Sequence, residues 1–268
     1  CASFAGVLME LLLYLLLGAA AGVLAGLFGV GGGIIIVPVL VFSFAAQGFE
    51  PAVLTHLAVG TSLATIIFTS VNSVLEHQRK GAVRWPIFVW MTLGILLGAA
   101  LGAATASAIQ GEMLQKIIGV FAIVIALQMA LELKPKASRV VPGKPGLTLA
   151  GAVIGWASAI FGIGGGSLTV PFLTWRSVPM QQAVATSSAC GLPIALAGAL
   201  AFIWLGWDAP ELPEWSLGFV YLPAMAGIAI TSMFFARFGA RLAHKLSPRL
   251  LKRLFAVLLL VVGVNFLI

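Results

Sequence analysis

The sequence predicts an all-α polytopic membrane protein built from two repeats, the second inverted relative to the first. Three observations carry this expectation. Of 268 residues, 61% are hydrophobic and 9% charged, with a mean hydropathy of +1.12, whereas a soluble domain carries about 25% charged residues. Such a chain cannot cover a water-exposed surface, so the bilayer is its solvent. Second, FGVGGGIIIVP at 28–38 returns as FGIGGGSLTVP at 161–171, 133 residues later. Third, the placement of the basic residues makes sense only if the chain turns back at each glycine triplet.

The first half contains apolar segments at 6–28, 33–46, 54–76, 86–108 and 114–133, and the second at 147–161, 167–177, 182–206, 215–237 and 249–268. Most approach the ~20 residues of a spanning helix. The pieces after the glycines are shorter and carry Pro38 and Pro171. Residues 4–26 read as a first membrane helix rather than a signal peptide, since no basic stretch precedes them and the apolar run is too long. The chain opens at Cys1 rather than methionine, so a processed or truncated N-terminus is expected. Ala58-Val59-Gly60-Thr61-Ser62 returns as Ala183-Val184-Ala185-Thr186-Ser187, and Leu114-Gln115-Lys116 has its counterpart in Leu250-Leu251-Lys252. Residues 1–135 form the first repeat, 136–146 a basic cytoplasmic linker and 147–268 the second repeat.

Loop charge decides between two topologies. If each glycine motif lay inside one continuous helix, eight spans would divide the basic residues seven against eight. That is no bias, contrary to the positive-inside rule. If the chain reverses at each motif, five segments per half leave only Lys116 opposite the other fourteen. Glu50, Glu112, Asp208, Glu211 and Glu214 join it. An odd number of segments inverts the second half and puts both termini on the non-cytoplasmic face. A helix pair that enters, breaks near the midplane and returns suits the short second pieces, and irregular backbone at that depth has to be buried or line a cavity.

Gly31, Gly32 and Gly33 precede one intramembrane helix start, and Gly164, Gly165 and Gly166 the other. Unpaired amides and the positive end of a helix dipole make an anion site without a charged side chain. Ser167 and Thr169 add hydroxyls where the first half has Ile34 and Ile36. The competing reading, close helix packing, suits the rows Gly18, Gly22, Gly26 and Gly94, Gly98, Gly102, spaced by four, better than a consecutive triplet. Thr61, Ser62, Thr186 and Ser187 are further contact candidates, although such hydroxyls also bond back to helix carbonyls or join helices. Ser62, Thr65, Thr69, Asn72 (or Ser73) and Glu76 share one helical face.

Glu10 and His56 are candidates for proton coupling, while His77 and Glu132 read as boundary residues. Trp85, Trp204, Trp207 and Trp215 read as interfacial anchors, and Trp156 and Trp175 either line the pathway or pack. The motifs lack the last glycine of a dinucleotide fingerprint and the lysine of a P-loop. Two cysteines, Cys1 and Cys190, are too few for a disulfide framework or zinc site. No cofactor, metal or nucleic-acid partner is implied. The Gly94–Gly102 row offers a contact through which a homodimer would form.

At these residues the chain resembles the TauE/SafE family of membrane anion transporters. The resemblance rests on FGVGGGIIIVPVL at 28–40, FGIGGGSLTVPFL at 161–173 and the Ala-Val-x-Thr-Ser elements that follow. It implies a multi-pass protein of the bacterial cytoplasmic membrane that carries a small sulfur-containing anion, sulfite or an organosulfonate. The expectation is therefore a secondary transporter exporting such an anion by alternating access, one half rocking against the other, and not an enzyme. The alternatives are an anion channel, an intramembrane sulfur-handling enzyme with Cys190 as nucleophile, and a scaffold subunit.

The two topologies differ in a measurable way. Single cysteines introduced at Ala82 and Asp208 are expected to react with an impermeant maleimide from opposite sides of the membrane. The eight-span arrangement puts both on one side.

Overall fold

The computed structural model describes residues 4–28, 33–79, 81–131, 140–243 and 248–268. The first half contains α1 (Phe4–Phe28), α2 (Gly33–Ala46), α3 (Pro51–Arg79), α4 (Trp85–Ser107) and α5 (Gly111–Ala130). The second contains α6 (Lys144–Phe161), α7 (Gly166–Trp175), α8 (Met180–Leu205), the strands β1 (Ser216–Leu217) and β2 (Val220–Tyr221), α9 (Leu222–Ala243) and α10 (Pro248–Leu267). Proline marks several starts: Pro51 and Pro248 open α3 and α10, and Pro86, Pro145 and Pro223 stand second in α4, α6 and α9. In the first turn the missing N–H has no intrahelical partner to lose.

At 1.5 Å per residue, α2 and α7 are only about 21 and 15 Å long, against roughly 30 Å of hydrocarbon. Neither can cross. The Tyr14 hydroxyl donates to Gln47 Oε1 at 2.9 Å. One continuous helix would hold those residues about 50 Å apart, so the chain doubles back at the first glycine motif. At the second, Gly162 takes a left-handed conformation (φ +62°) that ends α6, and the Ile163 amide donates to Ser158 O at 3.0 Å.

The central pair is α3 crossing α8, with α2 packed on α3 and α7 on α8. Around them α1 packs on α9, α4 on α6 and α5 on α10. Exchanging the two sets of five helices turns this pairing into itself. The seams agree residue by residue: Gly18 meets Ile228 and Gly22 meets Ser232, while Gly151 meets Met91 and Gly155 meets Ile95. Between lipid tails helices gain nothing from apolar burial, so close approach of small residues has to hold them. The outward faces are apolar, with Val89, Leu93, Leu97 and Leu101 of α4 and Val120, Val124 and Leu127 of α5 exposed. That is what a hydrocarbon solvent permits and water does not.

Two expectations are corrected. The Gly94, Gly98, Gly102 row faces Thr148, Ala152 and Trp156 of α6, so it is closed within the chain and presents no face to a second copy. The segment expected at 215–237 begins as a hairpin, with Ser216 opposite Tyr221 and Leu217 opposite Val220, and its helix starts only at Leu222. The hairpin presses the Phe219 carbonyl onto Gly60 of α3. The equivalent position on α8 is Ala185.

A Cβ at Gly98 would overlap the Ala152 carbonyl. Gly98→Val is expected to cost at least the ~1–3 kcal/mol of an overpacked site, read as a lowered melting temperature in detergent. Exposed Leu97→Val on the same helix is expected to change little.

Candidate functional site

The two glycine motifs meet back to back at the centre. A Cβ on Gly33 would lie 2.8 Å from both Gly162 O and Ile163 Cα. The Ser62 hydroxyl of α3 donates to the same Gly162 carbonyl at 2.8 Å, clamping the turn of the second motif to the first half. On the other side α8 runs against the start of α7: a Cβ on Gly165 would lie 2.5 Å from Ser187 O and 3.1 Å from Gly191 N. Gly164 is buried and Gly166 partly exposed. Gly31 and Gly32 lie outside the described residues.

The first bond of α7 runs from the Thr169 amide to Gly165 O at 2.9 Å. The amides of Gly166, Ser167 and Leu168 therefore precede the helical ladder, where the dipole is positive. Ser158, Thr169 and Ser187 are fully buried, and their hydroxyls, with the shielded Ser167 hydroxyl, have no partner among the described residues. This is unusual for the chain. Thr65, Thr105, Ser107, Thr148, Thr174 and Thr231 each donate to the carbonyl four residues back. Among the described residues only Thr92 and Ser216 also retain buried, unpartnered hydroxyls. Four free donors thus lie on α6, α7 and α8, around one glycine break.

The repeated Thr-Ser pairs split into two roles. Thr61 Oγ1 accepts the Tyr221 amide at 2.9 Å, and Thr186 Oγ1 accepts the Arg84 amide at 3.0 Å. Each threonine holds the chain just before α9 or α4, an equivalent pair of staples. The serines diverge: Ser62 is engaged with Gly162, whereas its counterpart Ser187 is free.

His56 is buried on α3, with Nε2 3.1 Å from both Ala106 O and Ile109 O at the end of α4. Donating there requires the Nε2–H tautomer and leaves Nδ1 bare, against Phe219 at 5.1 Å between ring centres. It is thus remote from the glycine break, which α3 meets at Ser62. Glu10 lies on α1, and its side chain, like those of Asn72 and Glu76, is outside the described residues. Trp156 is exposed and bonds Thr105, so it packs on the lipid side. Trp175 lies beneath Arg176. Trp85, Trp204 and Trp207 are exposed at or just past helix ends, and Trp215 is exposed immediately before β1. Cys190 is buried on α8. Among the described residues no group of three His, Cys, Asp or Glu could hold a metal, and none of the buried side chains belongs to Lys, Arg, Asp or Glu.

Sequence reasoning missed Ser158. Its signal was a hydroxyl within the apolar run immediately before FGIGGG, where the first half has Ala25.

A helical protein with apolar outward faces, two helices too short to cross a bilayer and Gly33 of one glycine motif packed on Gly162 of the other has the form of a membrane transporter. The comparisons agree. The model of the sulfite exporter TauE/SafE family matches residues 14–266, and the chain belongs to that family. It is 38% identical to a probable membrane transporter protein of Haemophilus influenzae, over 95% of this chain and 97% of that one. A probable membrane transporter protein of Methanocaldococcus jannaschii is 28% identical over 97% of each chain. The probable membrane transporter protein YunE of Bacillus subtilis is 26% identical over 95% of this chain and 96% of its own. No solved structure matches.

Ser62 and Ser187 are expected to respond oppositely to truncation. Ser62→Ala leaves the Gly162 carbonyl without its partner and should cost on the order of 1–3 kcal/mol, read as a lowered melting temperature. Ser187→Ala removes a hydroxyl with no internal partner, so its melting temperature should hold without added anion.

Proposed function

We propose that this chain is a secondary transporter that exports sulfite or a related organosulfur anion across the cytoplasmic membrane by alternating access. In this reading the two repeats are inverted in the bilayer. The anion is held at the start of α7 by Ser167, Thr169 and Ser187, by Gly164, Gly165 and Gly166 and by the amides that follow them. Ser158 adds a fourth hydroxyl. Gly31, Gly32, Gly33, Thr61, Ser62 and Thr186 form the supporting side.

The observation that carries this reading is the concentration of unpartnered, buried hydroxyls around the second glycine break. Buried polar groups ordinarily find partners, and a cluster that offers donors without a cation suits an anion with several oxygen acceptors. Neutral donors also favour release, because a buried lysine or arginine would hold the anion in a deep well. Export needs no nucleotide: an inside-negative potential drives one negative charge outward with about 2.3 kcal/mol per 100 mV. Glu10 and His56 are the candidates should a proton accompany the anion.

Purified protein is expected to melt at higher temperature in sulfite, with sulfate, thiosulfate, taurine and sulfoacetate ranking its selectivity; saturation at 100 times Kd corresponds to about 2.7 kcal/mol. Ser187→Ala should lose most of that shift. Proteoliposomes should show sulfite counterflow with trans-stimulation, which a channel lacks, and Cys190→Ala should retain it, which an enzyme using that thiol would not. Stabilisation by cations only, or by no anion, would overturn the reading.

A further inference from the structure

The two half-helices end in the same turn with different chemistry. At the end of α2 the amides of Gln47, Gly48 and Phe49 donate to Ser43, Ala45 and Phe44 at 3.1, 3.0 and 3.0 Å. At the end of α7 the amides of Arg176, Ser177 and Val178 donate to Phe172, Thr174 and Leu173 at 3.1, 3.1 and 3.0 Å. Gly48 and Ser177 are both left-handed, at φ +76° and +62°. Residue for residue, Arg176 stands where Gln47 stands.

Gln47 is locked. Its Nε2 donates to Ser43 O and Ser43 Oγ at 3.0 and 2.9 Å, and its Oε1 accepts the Tyr14 hydroxyl. Tyr14 in turn meets Phe44 and Tyr221 edge-on, and Phe49 stacks on Phe44 at 4.9 Å between ring centres and also meets Tyr221 edge-on. Four aromatic rings and one neutral amide close that end.

Arg176 is not locked. Its guanidinium lies over Trp175 at 4.8 Å and over Phe172 at 5.4 Å, and its Nε is shielded from solvent without a hydrogen-bond partner. No carboxylate among the described residues pairs with it. The rings orient the guanidinium plane and partly desolvate it, which strengthens its attraction for an anion. A guanidinium offers parallel N–H donors that match two oxygens of one oxyanion. From its position, α7 runs about 15 Å to the free hydroxyls at its start.

We propose that Arg176 is a loading site for a small oxyanion at the α7 mouth, occupied before the anion reaches the hydroxyls around Gly165. The α2 mouth, with Gln47 in the equivalent place, has no such site. This rests on the anion reading above. A lipid phosphate carries the same oxygen chemistry, so the experiment has to separate a headgroup anchor from a transport site.

The test is sulfite counterflow in proteoliposomes, with half-saturation, maximal rate and ionic-strength dependence measured separately. Arg176→Gln, which installs the α2 residue, is expected to raise half-saturating sulfite about five- to tenfold, in keeping with loss of one charge-assisted pair. Maximal rate should stay within about twofold, and the ionic-strength dependence should flatten as a steering charge is removed. Arg176→Lys should keep the salt dependence and recover part of the affinity. Unchanged half-saturation in Arg176→Gln overturns the proposal alone and marks Arg176 as a lipid or packing residue. Wild-type protein that exchanges no sulfite overturns the functional reading and this proposal with it. If Arg176→Gln does not assemble, Arg176→Met carries the same test, and failure of both neutral variants to assemble makes the residue structural and ends the proposal.

Discussion

Backbone amides and carbonyls exposed to hydrocarbon cost several kcal/mol each, and this chain interrupts its apolar helices between Phe161 and Gly166. The rest of the architecture answers that constraint. Ser62 reaches across from α3 to the Gly162 carbonyl, and Ser158 offers its carbonyl to the Ile163 amide. Gly33 and Gly165 let neighbouring backbone press against the turn so that lipid has no access. The central position of α3 and α8 follows, because they wall off the two breaks. With the Gly162, Ser158 and Gly165 carbonyls engaged, amides remain at the head of α7 and hydroxyls beside it. That set of unengaged groups is the one on which the proposed anion site rests.

The all-helical membrane architecture and the short helices after the glycine motifs were legible in the residues. Loop charge pointed to a chain that turns back, because the membrane sorts lysine and arginine by side whatever the packing. The substitution of Ser167 and Thr169 for Ile34 and Ile36 showed which break is polar. What could not be read were pairings between residues a hundred or more apart. Thr61 and Thr186 looked like ligand contacts, yet each accepts an amide from the far half. The difference between Gly60 and Ala185 carried no meaning until Phe219 was seen lying on the glycine. The hairpin at 216–221 was hidden because two-residue strands have no periodicity to detect.

Among the described residues charge is kept to the edges of the molecule. Among the described residues the buried polar set consists of serines, threonines and His56, so the interior presents dipoles rather than ions. His56 fits that pattern, since both Nε2 contacts are carbonyls at the end of α4 and fix the ring's orientation. The half-buried Arg176 guanidinium stands at the boundary between these regimes.

The glycine seams have a mechanical consequence. The tightest joints do not lie within a repeat: α1 is fastened to α9 and α4 to α6, with backbone close to backbone at Gly18, Gly22, Gly98 and Gly151. The two repeats are therefore clasped like the fingers of two hands. A swing of one entire repeat against the other would have to shear both joints at once. A rigid unit that kept both joints intact would take helices from each half of the chain.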